Sequence, residues 1–430
     1  MKVLLIGGGG REHALAWKMA QSPLIDVLYA APGNPGIARV ARCVAIAVDA
    51  HDELVKFAER EGIDLTIVGP EAPLVAGLAD RFAERGLTVL GPSAKPAQLE
   101  GSKAFAKALM ARHRIPTARF ATFDDAGAAR RYCRTLGAPL VVKADGLAAG
   151  KGAIVCPTLE EADAAIRVCM EERVFGLAGA TVVVEEFLRG EEVSFFALAN
   201  GMDAVAVGAA QDHKTVFDGD RGPNTGGMGT YSPVPTFDAA LERCVMDTIV
   251  RPTIHALADT GSPYRGVLFV GLMLTADGPQ VLEYNCRWGD PECQVLMTRL
   301  GEDLVPLLLA AASGVKLPDR IAMKPEASVC VNLVSGGYPG RYSTGVPITG
   351  IDVAEARGAR VFHAGTAERD RRLVTAGGRV LGVTATGADV AAAARRAYTA
   401  VDRISFEGMH YRRDIAKRAI DRWEDSERHG

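Results

Sequence analysis

No apolar run in the sequence approaches the roughly 20 residues that a helix needs to span a bilayer, so no membrane segment is expected. The chain also lacks a cationic excess. Forty-nine Lys and Arg stand against 52 Asp and Glu, for a formal net charge of −3. Without a basic field, non-specific binding to nucleic acid has no electrostatic support. Eight cysteines are scattered, none in a Cys-x-x-Cys pair, and Cys286 and Cys293 lie closest in sequence. Neither a disulfide scaffold nor a zinc site is expected, and a reducing, cytoplasmic compartment fits. The opening run Val3–Ile6 is shorter than a signal-peptide core and no cleavage site follows it. Internal repeats, low-complexity stretches and Ser–His–Asp or Cys–His arrangements are missing as well.

What is present is strand–helix alternation in a chain of 430 residues, 48% hydrophobic. Single cores rarely grow beyond about 250–300 residues, so several domains are expected. Strands are expected at Val3–Ile6, Asp26–Ala31, Cys43–Val48, Leu65–Val68 and Thr88–Leu90, with a helix over Glu12–Gln21. Apolar strands separated by helices predict a parallel, doubly wound sheet. Ligands of such sheets sit at the carboxyl ends of the strands, where the glycine turns fall. A capped helix over Ser102–Arg114 follows. Next comes a small unit with strands Leu140–Lys143, Ala153–Cys156 and Thr181–Glu185 and a helix over Leu159–Glu172. A mixed lobe then carries strands Val193–Ala199, Val205–Ala210, Gly266–Thr275 and Pro279–Tyr284. The tail has strands Val329–Leu333 and Leu381–Thr386 and a helix over Val390–Val401.

Gly7-Gly8-Gly9-Gly10-Arg11-Glu12-His13 closes the first strand and opens the first helix. Its amides, the helix N-terminus with about half a positive charge, and Arg11 suit a phosphate group; the alternative is a tight turn without a ligand. A dinucleotide is disfavoured, because the third glycine of Gly-x-Gly-x-x-Gly would fall on His13 and the second strand ends in Ala30-Ala31-Pro32 without a carboxylate. That weakens a dehydrogenase reading. Lys143–Gly152 is a second cationic glycine turn. It is no Walker motif: Gly146 and Gly150 have three residues between them, Gly152 follows Lys151 where Ser or Thr belongs, and a strand comes next. It suits a flap over a polyphosphate, with Lys143 on an inner oxygen; the alternative is a surface hairpin.

Glu283, Asn285 and Arg287 alternate on a strand and should share one face. A carboxylate and an amide oxygen are hard ligands suited to Mg²⁺ that bridges phosphates. An arginine beside them would stabilise a transferring phosphoryl group. The alternative is a surface salt bridge between Glu283 and Arg287. The strand entering Glu185-Glu186-Phe187-Leu188 could offer its backbone to an adenine edge and Glu192 to ribose hydroxyls, or the acids could simply be solvated. Gln211–Gly229 is aperiodic, dense in glycine and charge, and reads as a substrate-binding loop.

Taken together, these segments resemble the ATP-grasp superfamily, and within it the phosphoribosylamine–glycine ligase (glycinamide ribonucleotide synthetase) family. The resemblance covers essentially the whole chain. It is carried by Gly9–Ala14, Gly69–Leu74, Gln98–Lys103, Lys143–Gly152, Gln211–Lys214, Gly219–Gly229 and Glu283–Glu292, with Gly336–Gly340, His363–Thr366 and Tyr411–Ile415 in the tail. Pro223–Gly229 is the most specific of them. Trp288 stands where the family more often has Phe, and Cys286 where small apolar residues are common.

The resemblance implies an ATP-grasp fold of α/β and α+β class: an N-terminal α/β substrate-binding domain (1–101), linker helices and a lid subdomain (102–190), a central catalytic lobe (191–326) and a C-terminal mixed domain (327–430). It implies ligation of glycine to 5-phosphoribosylamine with ATP and Mg²⁺ or Mn²⁺, through glycyl phosphate, by a single-function, monomeric enzyme of purine biosynthesis. Lys103, Lys143, Gly150, Lys151 and Gly152 would meet the ATP phosphates, Glu185, Glu186, Phe187 and Leu188 the adenine, and Glu192 the ribose. Glu283 and Asn285 would hold the metal, with Arg287 and Lys143 acting on the reacting phosphate. Gly9, Gly10, Arg11 and Glu71 would lie near the phosphoribosyl group, with Asp212, Lys214 and Asp290 as further substrate contacts. Other readings are a different ATP-grasp enzyme, such as a carboxylase subunit or a formate-using ligase, and a nucleotide-binding regulatory module.

Overall fold

The computed structural model describes residues 1–148 and 152–429, of which 424–429 are described by their backbone only. Gly150 and Lys151 therefore lie outside the described residues.

Five parallel strands form the first sheet: β1 Lys2–Gly7, β2 Val27–Pro32, β3 Arg42–Cys43, β4 Leu65–Val68 and β5 Val89–Leu90, in the order β3-β2-β1-β4-β5. Val3–Ile6 are wholly buried, as a strand covered on both faces requires. The chain leaves β1 towards one side and later returns as β4 on the other. The crevice beyond these two carboxyl ends is the topological switch point. Gly7–Gly10 and Gly69–Glu71 both open into it. The third strand is shorter than the expected Cys43–Val48. It lies at the sheet edge, and Val44, Ile46 and Val48 use their apolar faces to cover the core rather than to extend a ladder.

β6 Phe120–Phe123, β7 Leu140–Ala144, β8 Ala153–Cys156 and β9 Val182–Glu186 make an antiparallel sheet in the order β6-β9-β7-β8. It has a small core of its own, which includes Cys133, Val142, Ile166 and Val184. The expected helix over Leu159–Glu172 begins on a Thr158/Glu161 capping box, runs to Ile166 and loosens into a π turn over Arg167–Glu171.

The rest is built on one antiparallel sheet of eight strands. In chain order the strands of this part are β10 Glu191–Asn200, β11 Ala204–Asp212, β12 Thr215–Phe217, β13 Arg221–Asn224, β14 Gly229–Ser232, β15 Arg265–Thr275, β16 Gly278–Asn285, β17 Ala327–Val334, β18 Arg360–His363, β19 Thr366–Arg369, β20 Arg372–Thr375 and β21 Arg379–Gly387. The sheet order is β16-β15-β10-β11-β14-β17-β21-β18, while β12–β13 and β19–β20 are separate hairpins. Pairing of β14 with β17 makes the central and C-terminal strands continuous. The segment 211–229 is thus more ordered than an aperiodic loop: β11 runs through Asp212, a hairpin follows, and β14 starts at Gly229. Pattern reading missed the hairpin because its strands are three and four residues long, too short for a period to register.

Candidate active site

At the switch point the glycine loop closes round a carboxylate of its own helix. Gly9 N donates to Glu12 Oε2 (2.7 Å), and Glu12 Oε1 accepts from Arg11 Nε (2.6 Å). A Cβ on Gly7 or Gly69 would come within 2.5 and 2.2 Å of the Glu12 side chain, so both turns need glycine in order to admit it. Part of the glycine signal therefore reflects packing round Glu12. Arg11 is buried and also donates to the Trp288 carbonyl (3.2 Å). This joins the loop to the segment beyond β16.

Strand alternation in β16 stops at Asn285, so Arg287 lies past the strand rather than on it. Its guanidinium nevertheless turns back to Asn285 Oδ1 (3.1 Å). The same guanidinium pairs with Glu71 (3.0 Å) and Glu100 (2.9 Å), and no salt bridge to Glu283 forms. Burial alone would lower the Arg287 pKa, but Glu100 and Glu71 drive it further up, so it stays charged. Burial raises Glu71, yet Arg287 and Arg11 outweigh it and hold this carboxyl below its ordinary value. Glu100 also accepts the Cys286 amide (2.7 Å), which fixes the bend where the strand ends. Asp290 faces the loop from the other side: Cβ atoms built on Gly9 and Gly10 would lie 3.6 Å from its carboxylate oxygens. Gly9, Gly10, Arg11, Glu71, Arg287 and Asp290 are thus brought together.

A second group surrounds Glu283. Burial would raise this carboxyl, but Lys214, Lys143, Lys103 and Arg287 pull it below its ordinary value. Lys143 Nζ lies 3.0 Å from Glu185 and donates to the Leu282 carbonyl (2.9 Å). Lys103 donates to the Gly146 carbonyl (3.1 Å), and Lys214 pairs with Glu192 (2.6 Å). Glu185 is shared with buried Lys107 (3.1 Å). Glu186, the next residue on β9, turns away to Arg119 (2.6 Å). Phe187 and Leu188 continue from it half-buried, and Gly152 receives the Ala144 amide where the turn returns to the sheet. Asp212 sits under Gly227; burial and Glu292 push its carboxyl up, while the His213 amide donates to it (2.7 Å).

Among the described residues no group of three or more His, Cys, Asp or Glu is placed to hold a metal. Mg²⁺ needs no such cage, because it is bound by one or two protein oxygens together with phosphate oxygens and waters. Glu283 and Asn285 fit that demand. The side-chain Nδ2 of Asn285 is buried without a partner, a donor that suits a phosphate oxygen rather than the metal, while Asn285 Oδ1 accepts from Arg287 and keeps one lone pair for a metal.

Several contributors went unread in the sequence. Glu12 and Glu100 stand in recognisable segments but make their bonds only after folding. Arg379 has no local motif, because its partners are 89 and 153 residues away.

The fold, with these two linked charged clusters, is that of a class: the ATP-grasp enzymes. Residues 1–100, 101–293 and 328–418 match the N domain, the ATP-grasp (A) domain and the C domain of phosphoribosylglycinamide synthetase, and the chain belongs to that family. It is 54% identical to the phosphoribosylamine–glycine ligase of Agrobacterium fabrum, over 98% of this chain and 99% of that protein. Identity to the Pseudomonas aeruginosa phosphoribosylamine–glycine ligase is 51%, with the same two coverages. Among solved structures it resembles the phosphoribosylamine–glycine ligase of Thermotoga maritima, with a TM-score of 0.84 at 35% identity over 97% of this chain and 100% of that one. The biotin carboxylase domain of Hydrogenobacter thermophilus 2-oxoglutarate carboxylase, solved with MgADP and bicarbonate, shares the fold at a TM-score of 0.73, 18% identity and coverages of 95% and 91%.

Proposed function

We propose that the chain joins glycine to 5-phosphoribosylamine with ATP, giving glycinamide ribonucleotide, ADP and phosphate, as a step of de novo purine biosynthesis. One observation carries the residue assignment: a single carboxylate, Glu283, set among four cations and linked through Arg287 to the Arg11–Glu71–Asp290 group. Lys143, Lys214 and Arg287 also pair with Glu185, Glu192, Glu71 and Glu100, so the cations stand in a charge-balanced network whose donors can turn to a polyphosphate with its metal.

The glycine carboxylate attacks the γ-phosphorus of ATP, ADP leaves, and glycyl phosphate forms. The amine of phosphoribosylamine then attacks the acyl carbon and phosphate leaves. Lys103 and Lys143 hold phosphate oxygens, and the Lys143–Gly152 turn covers them and excludes water from the acyl phosphate. Arg287 offsets charge on the transferring group, held in register by Glu71 and Glu100. Glu185–Leu188 borders the adenine and Glu192 the ribose. Gly9, Gly10 and Arg11 receive the phosphoribosyl phosphate, and Glu71, Asp212, Lys214 and Asp290 line the space for the two small substrates. Glu283 and Asn285 hold Mg²⁺, or Mn²⁺ with the same oxygen preference, which when bound neutralises phosphate charge.

The eight cysteines are all free thiols, which fits a cytoplasmic enzyme. No helix among the described residues is long and apolar enough to cross a membrane. The reading takes the chain as a monomer, checked by whether sedimentation gives the mass of one chain.

Hydroxylamine tests the intermediate. With ATP, Mg²⁺ and glycine but no phosphoribosylamine, the enzyme should form glycine hydroxamate. Steady amine-dependent ADP production with no hydroxamate at any hydroxylamine concentration would count against a free acyl phosphate.

A further inference from the structure

We propose that Arg379, at the start of β21 in the C-terminal segment, is a positioning residue for the amine substrate. It acts by holding Asp290 and the Gly226–Gly227 turn in one arrangement. The proposal rests on the reading of Asp290 as a substrate contact.

Three bonds define the position. Arg379 Nη1 donates to the carbonyls of both Gly226 and Asp290, and Nη2 lies 3.2 Å from Asp290 Oδ2. One rigid guanidinium therefore fixes the main chain of two separate segments and a side chain of one of them. Gln294 Nε2 holds the other Asp290 oxygen (2.9 Å), so the carboxylate has little freedom left to rotate. Burial raises the Asp290 carboxyl, but Arg379 leads the opposing charges and, with Arg11, keeps it below its ordinary value. Without Arg379 the remaining cations acting on Asp290 are Arg11 and Arg287, and Asp290 would compete with the substrate for them.

The glycines agree. A Cβ on Gly226 would come within 3.0 Å of the Arg379 guanidinium carbon. Gly227, at φ +112°, leaves no room either: its Cβ would meet Pro291 at 2.6 Å and the Asp212 carboxylate at 2.9 Å. The Gly226 amide donates to Tyr338 Oη (2.9 Å), and Asn332 Nδ2 donates to the Gly227 carbonyl (2.8 Å). Three side chains of the C-terminal segment thus clasp two residues of the most distinctive loop in the sequence. Only Arg379 also reaches across to Asp290.

Arg379→Ala and Arg379→Lys in the full chain test this, with KM measured separately for ATP, glycine and phosphoribosylamine generated in situ. A displacement of about 1 Å in a positioned group can cost about 100-fold. Arg379→Ala should therefore raise the phosphoribosylamine KM by roughly 10- to 100-fold while the ATP KM stays close to that of the parent; the melting temperature should fall, because Asp290 loses its leading partner, and the assays are run below it. Lysine should recover part of the loss, since a single ammonium cannot bridge two carbonyls and a carboxylate at once. Equal shifts in all three KM values, no shift in any, or a lysine variant as poor as the alanine one would overturn the proposal. Asp290→Asn separates it from the reading beneath. If Asp290→Asn raises the amine KM and Arg379→Ala does not, the positioning role fails and the Asp290 contact stands. If Asp290→Asn changes nothing while Arg379→Ala raises the amine KM, the Asp290 contact fails and the positioning of Gly226 stands.

Discussion

Glu12 shows how one side chain can set the identity of several others. Its carboxylate takes the Gly9 amide and the Arg11 guanidinium, and it fills the space in front of Gly7 and Gly69. Gly69→Ala places a methyl 2.2 Å from Glu12 Oε1, and the carboxylate cannot swing away without losing its bonds to Arg11 and the Gly9 amide. The expected loss is about 1–3 kcal/mol, as for other overpacked sites, read as a lower denaturation midpoint. Gly62→Ala is the control. Its φ is +64° but nothing lies within 4 Å, so only the left-handed backbone counts, about 1–2 kcal/mol. The glycine run was legible as a tight, cationic turn suited to a phosphate, whereas the carboxylate that shapes it was not, because Glu12 reads locally as an ordinary first-turn helix residue. At the proposed metal site, Glu283→Ala should lower the rate of ADP formation by about 10²–10³-fold while ATP still binds, and a rate within a few-fold of the parent would remove Glu283 from the site.

Elements with a clear period were readable, and those that depend on a partner were not. The helix Val390–Val401 and the strands Leu65–Val68 and Ala153–Cys156 have the expected bounds. Their patterns are strong and their ends carry turn or cap residues. Edge strand β3 pairs with β2 and β18 with β21, while the strands of the β12–β13 and β19–β20 hairpins are only three or four residues long, too short for a period to register. The Lys143–Gly152 turn shows the same division. Its lack of a Walker pattern was visible in spacing. Its anchor was not: Asp145 accepts from Ser102 Oγ (2.9 Å) and the Ala104 amide (3.0 Å), so the base of the turn caps the helix Lys103–His113. Losing such a cap costs about 1 kcal/mol. Asp145→Ala should therefore weaken ATP binding about fivefold, measured by titration calorimetry, because Lys103 begins that helix. Unchanged ATP affinity would detach the turn from the nucleotide.

Across the whole molecule, the N-terminal sheet meets the C-terminal segment through buried imidazoles. His363 N donates to His13 Nδ1 (2.7 Å), and Asn34 Nδ2 bridges the Gly8 and His363 carbonyls at 2.8 Å each. Burial lowers His13 to about 3 and His363 to about 4, with Arg39 acting in the same direction on both. Burial likewise lowers His213 to about 4. All three fall below the ordinary value of 6.5, so the unfolded chain takes up more protons than the folded one between about pH 4 and 6.5. Stability should be full above about pH 6.5 and fall as the pH drops through that window, by up to about 1.4 kcal/mol per pH unit for each histidine. Denaturant midpoints at pH 7.5, 6, 5 and 4.5 read this out, and a flat profile would contradict it. Chemistry alone took the sequence as far as phosphoryl transfer; the two small substrates came from the likeness to a family. The most direct measurement is ADP formation by the purified full chain with ATP, Mg²⁺ and glycine, with and without phosphoribosylamine generated in situ. ADP formation that depends on both glycine and the amine, with glycinamide ribonucleotide as product, is the predicted result. ADP formation driven by bicarbonate or formate instead, or indifferent to the amine, would contradict the account.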